Sequence, residues 1–138
     1  MVVSAASAGG CVAVDGGAVE VGWDLRFPDG HRTDDNGDPI SCERARLGAM
    51  ALALTPSDGA TDPCAGVGHC RFSCSAQGIG TTDFVIPPGE YAMVLQVLDP
   101  TGIALGVGDG IVSPGSMVRD VALGEITSLS VQLIIVDR

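Results

Sequence analysis

Ala18-Val19-Glu20-Val21-Gly22-Trp23-Asp24-Leu25-Arg26-Phe27 is the stretch on which the fold turns: Val19, Val21, Trp23, Leu25 and Phe27 alternate with Ala18, Glu20, Gly22, Asp24 and Arg26. Successive side chains of an extended chain point to opposite faces, so this period of two predicts a strand with one continuous apolar row. Trp23, the single tryptophan of the chain, is expected in the core with Val21 and Leu25 beside it.

The same alternation recurs outward from there. Met50, Leu52 and Leu54 alternate with alanines, predicting a strand over 48–55 with a helical turn before it; Cys70, Phe72 and Cys74 alternate with His69, Arg71, Ser73 and Ser75. Tyr91, Met93, Leu95 and Val97 follow Pro87-Pro88-Gly89, and Asp99-Pro100-Thr101-Gly102 turns the chain into Ile103, Leu105 and Val107. In the closing strand, 129–136, Leu129, Val131, Leu133 and Ile135 form one face while Ile134 and Val136 stand on the other. A strand apolar on both faces is central or is covered by something else. The expected fold is therefore all-β: one antiparallel β-sandwich of about seven to nine strands over residues 18–138. Residues 1–17, small and without period, read as a flexible leader.

Composition agrees and excludes several functions. Twenty Gly and eight Pro in 138 residues favour turns over a helical bundle. A formal net charge of -10 repels a phosphate backbone or an anionic lipid surface, which argues against nucleic acid as a partner. All seven basic residues are Arg, so Schiff-base chemistry and a P-loop lysine are excluded within this chain. No run approaches the ~20 apolar residues of a membrane-spanning helix.

Five cysteines point to an oxidising compartment, and so to a secreted, periplasmic or surface-tethered protein. A zinc site of Cys64, His69, Cys70 and Cys74 lacks the usual ligand spacing, and disulfides are preferred. Of the three pairings open to four cysteines, Cys42 with Cys74 and Cys64 with Cys70 is expected, because Cys64 and Cys70 are near enough to staple their own loop. The fifth, Cys11, follows Ala8-Gly9-Gly10, which resembles the end of a bacterial lipoprotein signal and would make Cys11 a lipidation site; an unpaired thiol in the leader is the preferred reading.

Candidate chemistry is sparse. His31 and His69 are the two imidazoles, no Gly-x-Ser-x-Gly elbow occurs, and no catalytic residue is assigned: the chain is read as a non-enzyme. Gly106 to Gly110 precedes no helix that would cradle a phosphate. The acidic loop of Asp29, Asp34, Asp35, Asn36 and Asp38 offers several hard oxygens for Ca2+ but misses the EF-hand spacing; a solvated, turn-forming loop is preferred, with calcium or carbohydrate binding kept as the alternative function. Ile134 and Val136 are assigned as an interaction face for self-association or a protein partner, unless residues 12–17 fold over them.

Phe84-Val85-Ile86-Pro87-Pro88-Gly89-Glu90-Tyr91, followed by alternating apolar residues and Asp99-Pro100-Thr101-Gly102, resembles a segment of prealbumin-like β-sandwich modules, among them the collagen-adhesin B-type and carboxypeptidase regulatory-like domains of bacterial envelope proteins. The order Trp23, Cys42, Cys74 is similar to that of small cysteine-containing lipoproteins of the same sandwich class. Gly80-Thr81-Thr82-Asp83 replaces the usual Asp-x-x-Gly turn, and no Lys is present for an isopeptide crosslink. The resemblance implies a folded, non-catalytic envelope module acting by binding or assembly.

Overall fold

The structure, a computed structural model, describes residues 15–66 and 68–138. Its elements are β1 (Ala18–Arg26), α1 (Cys42–Ala45), β2 (Ala49–Pro56), β3 (Arg71–Ser73), β4 (Gln77–Thr81), β5 (Gly89–Leu98), β6 (Ile111–Val112), β7 (Met117–Val121) and β8 (Ile126–Val136), with 3-10 turns at Gly68–Cys70 and Val107–Asp109. The protein is all-β, in two four-stranded sheets ordered β4-β1-β8-β6 and β3-β2-β5-β7. The one turn of α-helix starts where Ser41 Oγ accepts from the Arg44 amide at 3.2 Å and stops where Arg46 turns left-handed at φ 56°.

The inward rows of both sheets meet in one core: Val19, Val21, Trp23 and Leu25 of β1 pack with Met50, Leu52 and Leu54 of β2 and Met93, Leu95 and Val97 of β5. β1 is central, between β4 and β8. The pairing departs from expectation in one respect: β1 and β8 run parallel, from Ala18 opposite Ile126 to Arg26 opposite Ile135, while the other pairs are antiparallel. Local turns force antiparallel neighbours, but these two strands lie at opposite ends of the chain and no turn constrains them. Gly16 and Gly17, assigned to the leader, belong to the fold. Gly17 bridges to Ile86, and a Cβ on it would strike Val121 Cγ1 at 2.6 Å.

The aromatic side chains decide how the sheets close. Trp23 and Phe72 stack across the two sheets with ring centroids 6.1 Å apart and planes 21° from parallel. Trp23 pairs across β1 and β4 with Gly78, and Val21 with Gly80. A Cβ on Gly78 would lie 2.6 Å from Trp23 Cζ2, and one on Gly80 would fall within the Phe72 ring. The two glycines are thus the floor on which the rings lie, and the indole Nε1 donates to Ser75 O at 2.9 Å.

β8 corrects the assignment of Ile134 and Val136 to an exposed interaction face: both are buried core residues. Between the Glu20–Ser128 and Gly22–Val131 pairs, β8 spends one residue more than β1, and Ser130 takes φ 56°. Such a bulge reverses the faces of everything after it. Leu129, Gln132, Ile134 and Val136 therefore point inward, and Val131 and Leu133 outward. Buried Gln132 donates from Nε2 to Leu129 O at 2.8 Å, satisfying a carbonyl at the bulge.

Disulfides join Cys42 to Cys74 and Cys64 to Cys70, with Cα atoms 6.0 and 5.5 Å apart. The first ties α1 to the end of β3, beside the aromatic stack; chain-entropy arguments give it about 4 kcal/mol and the shorter loop about 2 kcal/mol. Non-reducing peptide mapping is expected to recover these two pairs, and a Cys42–Cys64 peptide would contradict the fold. Trp23→Ala should cost about 3–5 kcal/mol in urea unfolding followed by circular dichroism. Gly80→Val, which adds atoms instead of removing them, should cost about 1–3 kcal/mol.

Candidate functional site

The sequence candidates do not converge. In the acidic loop Asp34 Oδ1 accepts from the amides of Asn36 and Asp38, both at 2.9 Å, and Asp29 Oδ1 from that of His31 at 2.8 Å. The carboxylates thus shape their own turns, and Arg44 reaches both Asp34 at 3.8 Å and Asp38 at 3.6 Å. Asp35 and Asn36 are exposed to solvent or nearly so. Among the described residues no three His, Cys, Asp or Glu side chains form a group able to hold a metal ion. His69 Nδ1 accepts from the Asp83 amide at 3.2 Å, which leaves its proton on Nε2, and His31 pairs with Asp29. The two lie on separate loops. Cys11 lies outside the described residues.

What the fold does assemble is the outer face of the first sheet. Register sets its rows: Ile79, Gly22 and Val131 lie side by side across β4, β1 and β8; Gln77, Asp24 and Leu133 form the next row; Arg26, Ile135 and Val112 the third. Ile79 is 71% exposed, Val131 65%, Val112 50% and Leu133 49%, so an apolar strip crosses the sheet in contact with solvent. A Cβ on Gly22 would sit 3.3 Å from Val131 Cγ2, and its absence leaves the middle of the strip shallow. A depression of about 410 Å3 lies between Ile79, Val131 and a neighbouring polar cluster.

That cluster is centred on Asp24. Its Oδ2 accepts from Arg26 Nη2 at 2.8 Å and Arg32 Nη2 at 3.0 Å, and the Gln77 amide oxygen is placed to accept from Arg32 Nε at 2.9 Å. Hydrogen bonds from Arg26 and then Arg32 outweigh desolvation and hold the Asp24 carboxyl far below the usual carboxylate range. In the second sheet, Tyr91 is anchored through its hydroxyl to Pro87 O at 2.5 Å, and burial, with the charges of Asp58 and Asp62, raises its pKa.

Sequence reasoning missed this face for two reasons: the bulge at Ser130 exchanges the two sides of β8, and Gly78 and Gly80 erase the alternation that would have shown β4. Glycines at a spacing of two, Gly78 and Gly80 around Ile79, were the available signal. No known protein family, curated protein or solved structure matches the chain.

A carboxyl whose pKa is lower in the folded than in the unfolded chain contributes its full stability above the unfolded value of about 4, and loses it as pH falls below that value toward the folded one. Asp24→Asn is accordingly expected to lower stability at pH 7 by about 1–3 kcal/mol. It should also flatten the loss of stability below about pH 4. Urea midpoints of both proteins at pH 7, 4 and 3 measure this; parallel pH profiles would show that the cluster is energetically idle.

Proposed function

We propose that the chain is a non-catalytic, exported module, secreted or held at the bacterial cell envelope, that acts by associating with protein, in the first place with a second copy of itself. Its two sheets would form a β-sandwich of immunoglobulin-like or prealbumin-like layout. The Pro87-Pro88-Gly89-Glu90-Tyr91 segment supports this reading, since its tyrosine is locked to the backbone just upstream. Two disulfides point to an oxidising extracellular compartment. Among the described residues no helix is long and apolar enough to cross a membrane. Acylation at Cys11 would serve such a module as a tether.

The observation that carries the proposal is the solvent-facing strip of Ile79, Val131, Leu133 and Val112. An apolar strip rimmed by charged residues marks an interaction surface. Glu20 and Asp24 on this face are balanced by Arg26 and Arg32, so a second copy meets a locally neutral surface although the whole chain carries -10. Beside the strip, β6 pairs only with Ile135 and Val136, leaving the rest of that edge of β8 without a strand partner among the described residues. Strands β4, β1 and β8, of five, nine and eleven residues and about 4.8 Å apart, offer roughly 400 Å2 of sheet, below the ~800 Å2 per partner of a standard complex, so the association would be weak and concentration-dependent.

Sedimentation velocity over micromolar to millimolar protein is expected to show reversible association of the wild type. Val131→Asp combined with Leu133→Asp should abolish it without lowering the melting temperature, both side chains being outside the core. A wild type that remains monomeric throughout, or a variant that associates equally well, removes the basis of the proposal.

A further inference from the structure

The outer face of the second sheet carries a different feature. β2 turns Met50, Leu52 and Leu54 inward, so Ala49, Ala51 and Ala53 face outward. Register places Ala51 between Arg71 of β3 and Gln96 of β5 in one cross-strand row. Neighbouring strands are about 4.8 Å apart, so two long polar side chains rise about 10 Å from each other with only a methyl group between them. On one side the floor is bounded by Cys64, Ala65, Gly66 and Gly68, on the other by the turn of Gly102 and Ala104, and the half-open cleft between them measures about 500 Å3. That is the size of a small-molecule site.

The polar groups of this cleft differ in what they have left to offer. Asp62 is occupied: Oδ2 accepts from the Leu54 amide at 3.1 Å and Oδ1 from that of Cys64 at 2.7 Å, which fastens the loop to β2. Arg71 is not. Arg26 and Arg32 are engaged by Asp24, and Arg44 by Asp34 and Asp38, but among the described residues no carboxylate lies within ion-pair distance of Arg71. Its Nη1 extends over the turn, 3.7 Å from where a Cβ on Gly102 would stand. Gln96 likewise makes no side-chain hydrogen bond among the described residues and offers both a donor and an acceptor.

We propose that this cleft binds a small sugar acid, its carboxylate forked by the Arg71 guanidinium and its hydroxyls bonded by Gln96 over the Ala51 floor. The guanidinium is the planar, bidentate partner that a carboxylate requires. A free amino acid would bring an ammonium, and the one carboxylate of the lining, Asp62, already accepts from two backbone amides. A neutral sugar would find no aromatic ring in the lining to stack on, so recognition rests on the charge. The inference is independent of self-association, which uses the opposite sheet.

The test is a 15N chemical-shift titration of the full chain with galacturonate, and in parallel with galactose, N-acetylglycine and glycine. Galacturonate is expected to give saturable shifts at residues 51–53, 71, 96 and 102–104, with galactose silent. Arg71→Gln should weaken binding at least tenfold, and Ala51→Leu, which fills the floor from the solvent side, should abolish it. Arg119→Gln, away from the cleft, should change nothing, and melting temperatures establish that each variant is folded. Absence of saturable shifts with galacturonate, or equal affinity in Arg71→Gln, overturns the site. N-acetylglycine binding as tightly as galacturonate overturns the role given to the hydroxyls.

Discussion

The stack of Trp23 on Phe72 is the contact on which the closing of the two sheets depends, and it exists because Gly78 and Gly80 leave room beneath it. Each ring comes from a different sheet, and each lies over a glycine of β4. With any larger residue at those positions the rings would be lifted and the sheets wedged apart at that edge. Phe72 lies between Cys70 and Cys74, each held by its own disulfide, so covalent and aromatic restraints act on one corner of the core. A chain with few aromatic residues concentrates their effect where the sheets need it most.

The exterior follows the same economy. Asp24 stands on the outer side of a central strand, where a lone carboxylate would be costly, and two arginines satisfy it. Arg26 comes from the same strand and Arg32 from the far side of the loop, so the ion cluster anchors the polar 31–39 segment to the sheet. Outer faces of the two sheets then diverge in character: one presents branched apolar side chains beside an ion-paired cluster, the other an alanine floor below an arginine with no ion-pair partner among the described residues. The proposed association surface lies on the first of these faces and the proposed small-ligand cleft on the second.

Legibility in the sequence tracked how local the determining physics was. The rows of β1, β2 and β5 could be read because strands central to a sheet bury one whole side, and alternation records it. The cysteine pairing was readable from proximity along the chain for Cys64 and Cys70 and from facing for Cys42 and Cys74. β4 was hidden because its inward residues are glycines, whose purpose appears only when Trp23 and Phe72 are above them. Ile103 and Val107 mimicked a strand, yet both are solvent-exposed and the glycine-dense chain there makes a 3-10 turn. Ile134 and Val136 were placed on the wrong side because one residue, Ser130, shifts register. The outer-face rows could not be seen beforehand, since Ile79, Val131, Arg71 and Gln96 become neighbours only through long-range pairing.

The parallel pairing of β1 with β8 also decides how the protein would bear load. Both strands point the same way, so a pull applied to the two ends of the described chain acts along them in opposite directions. Their ladder of hydrogen bonds is then loaded in shear, all rungs together, instead of being opened one rung at a time as in a hairpin. A module tethered at its N-terminal side and drawn from its C-terminal side would resist extension through its most buried pair of strands.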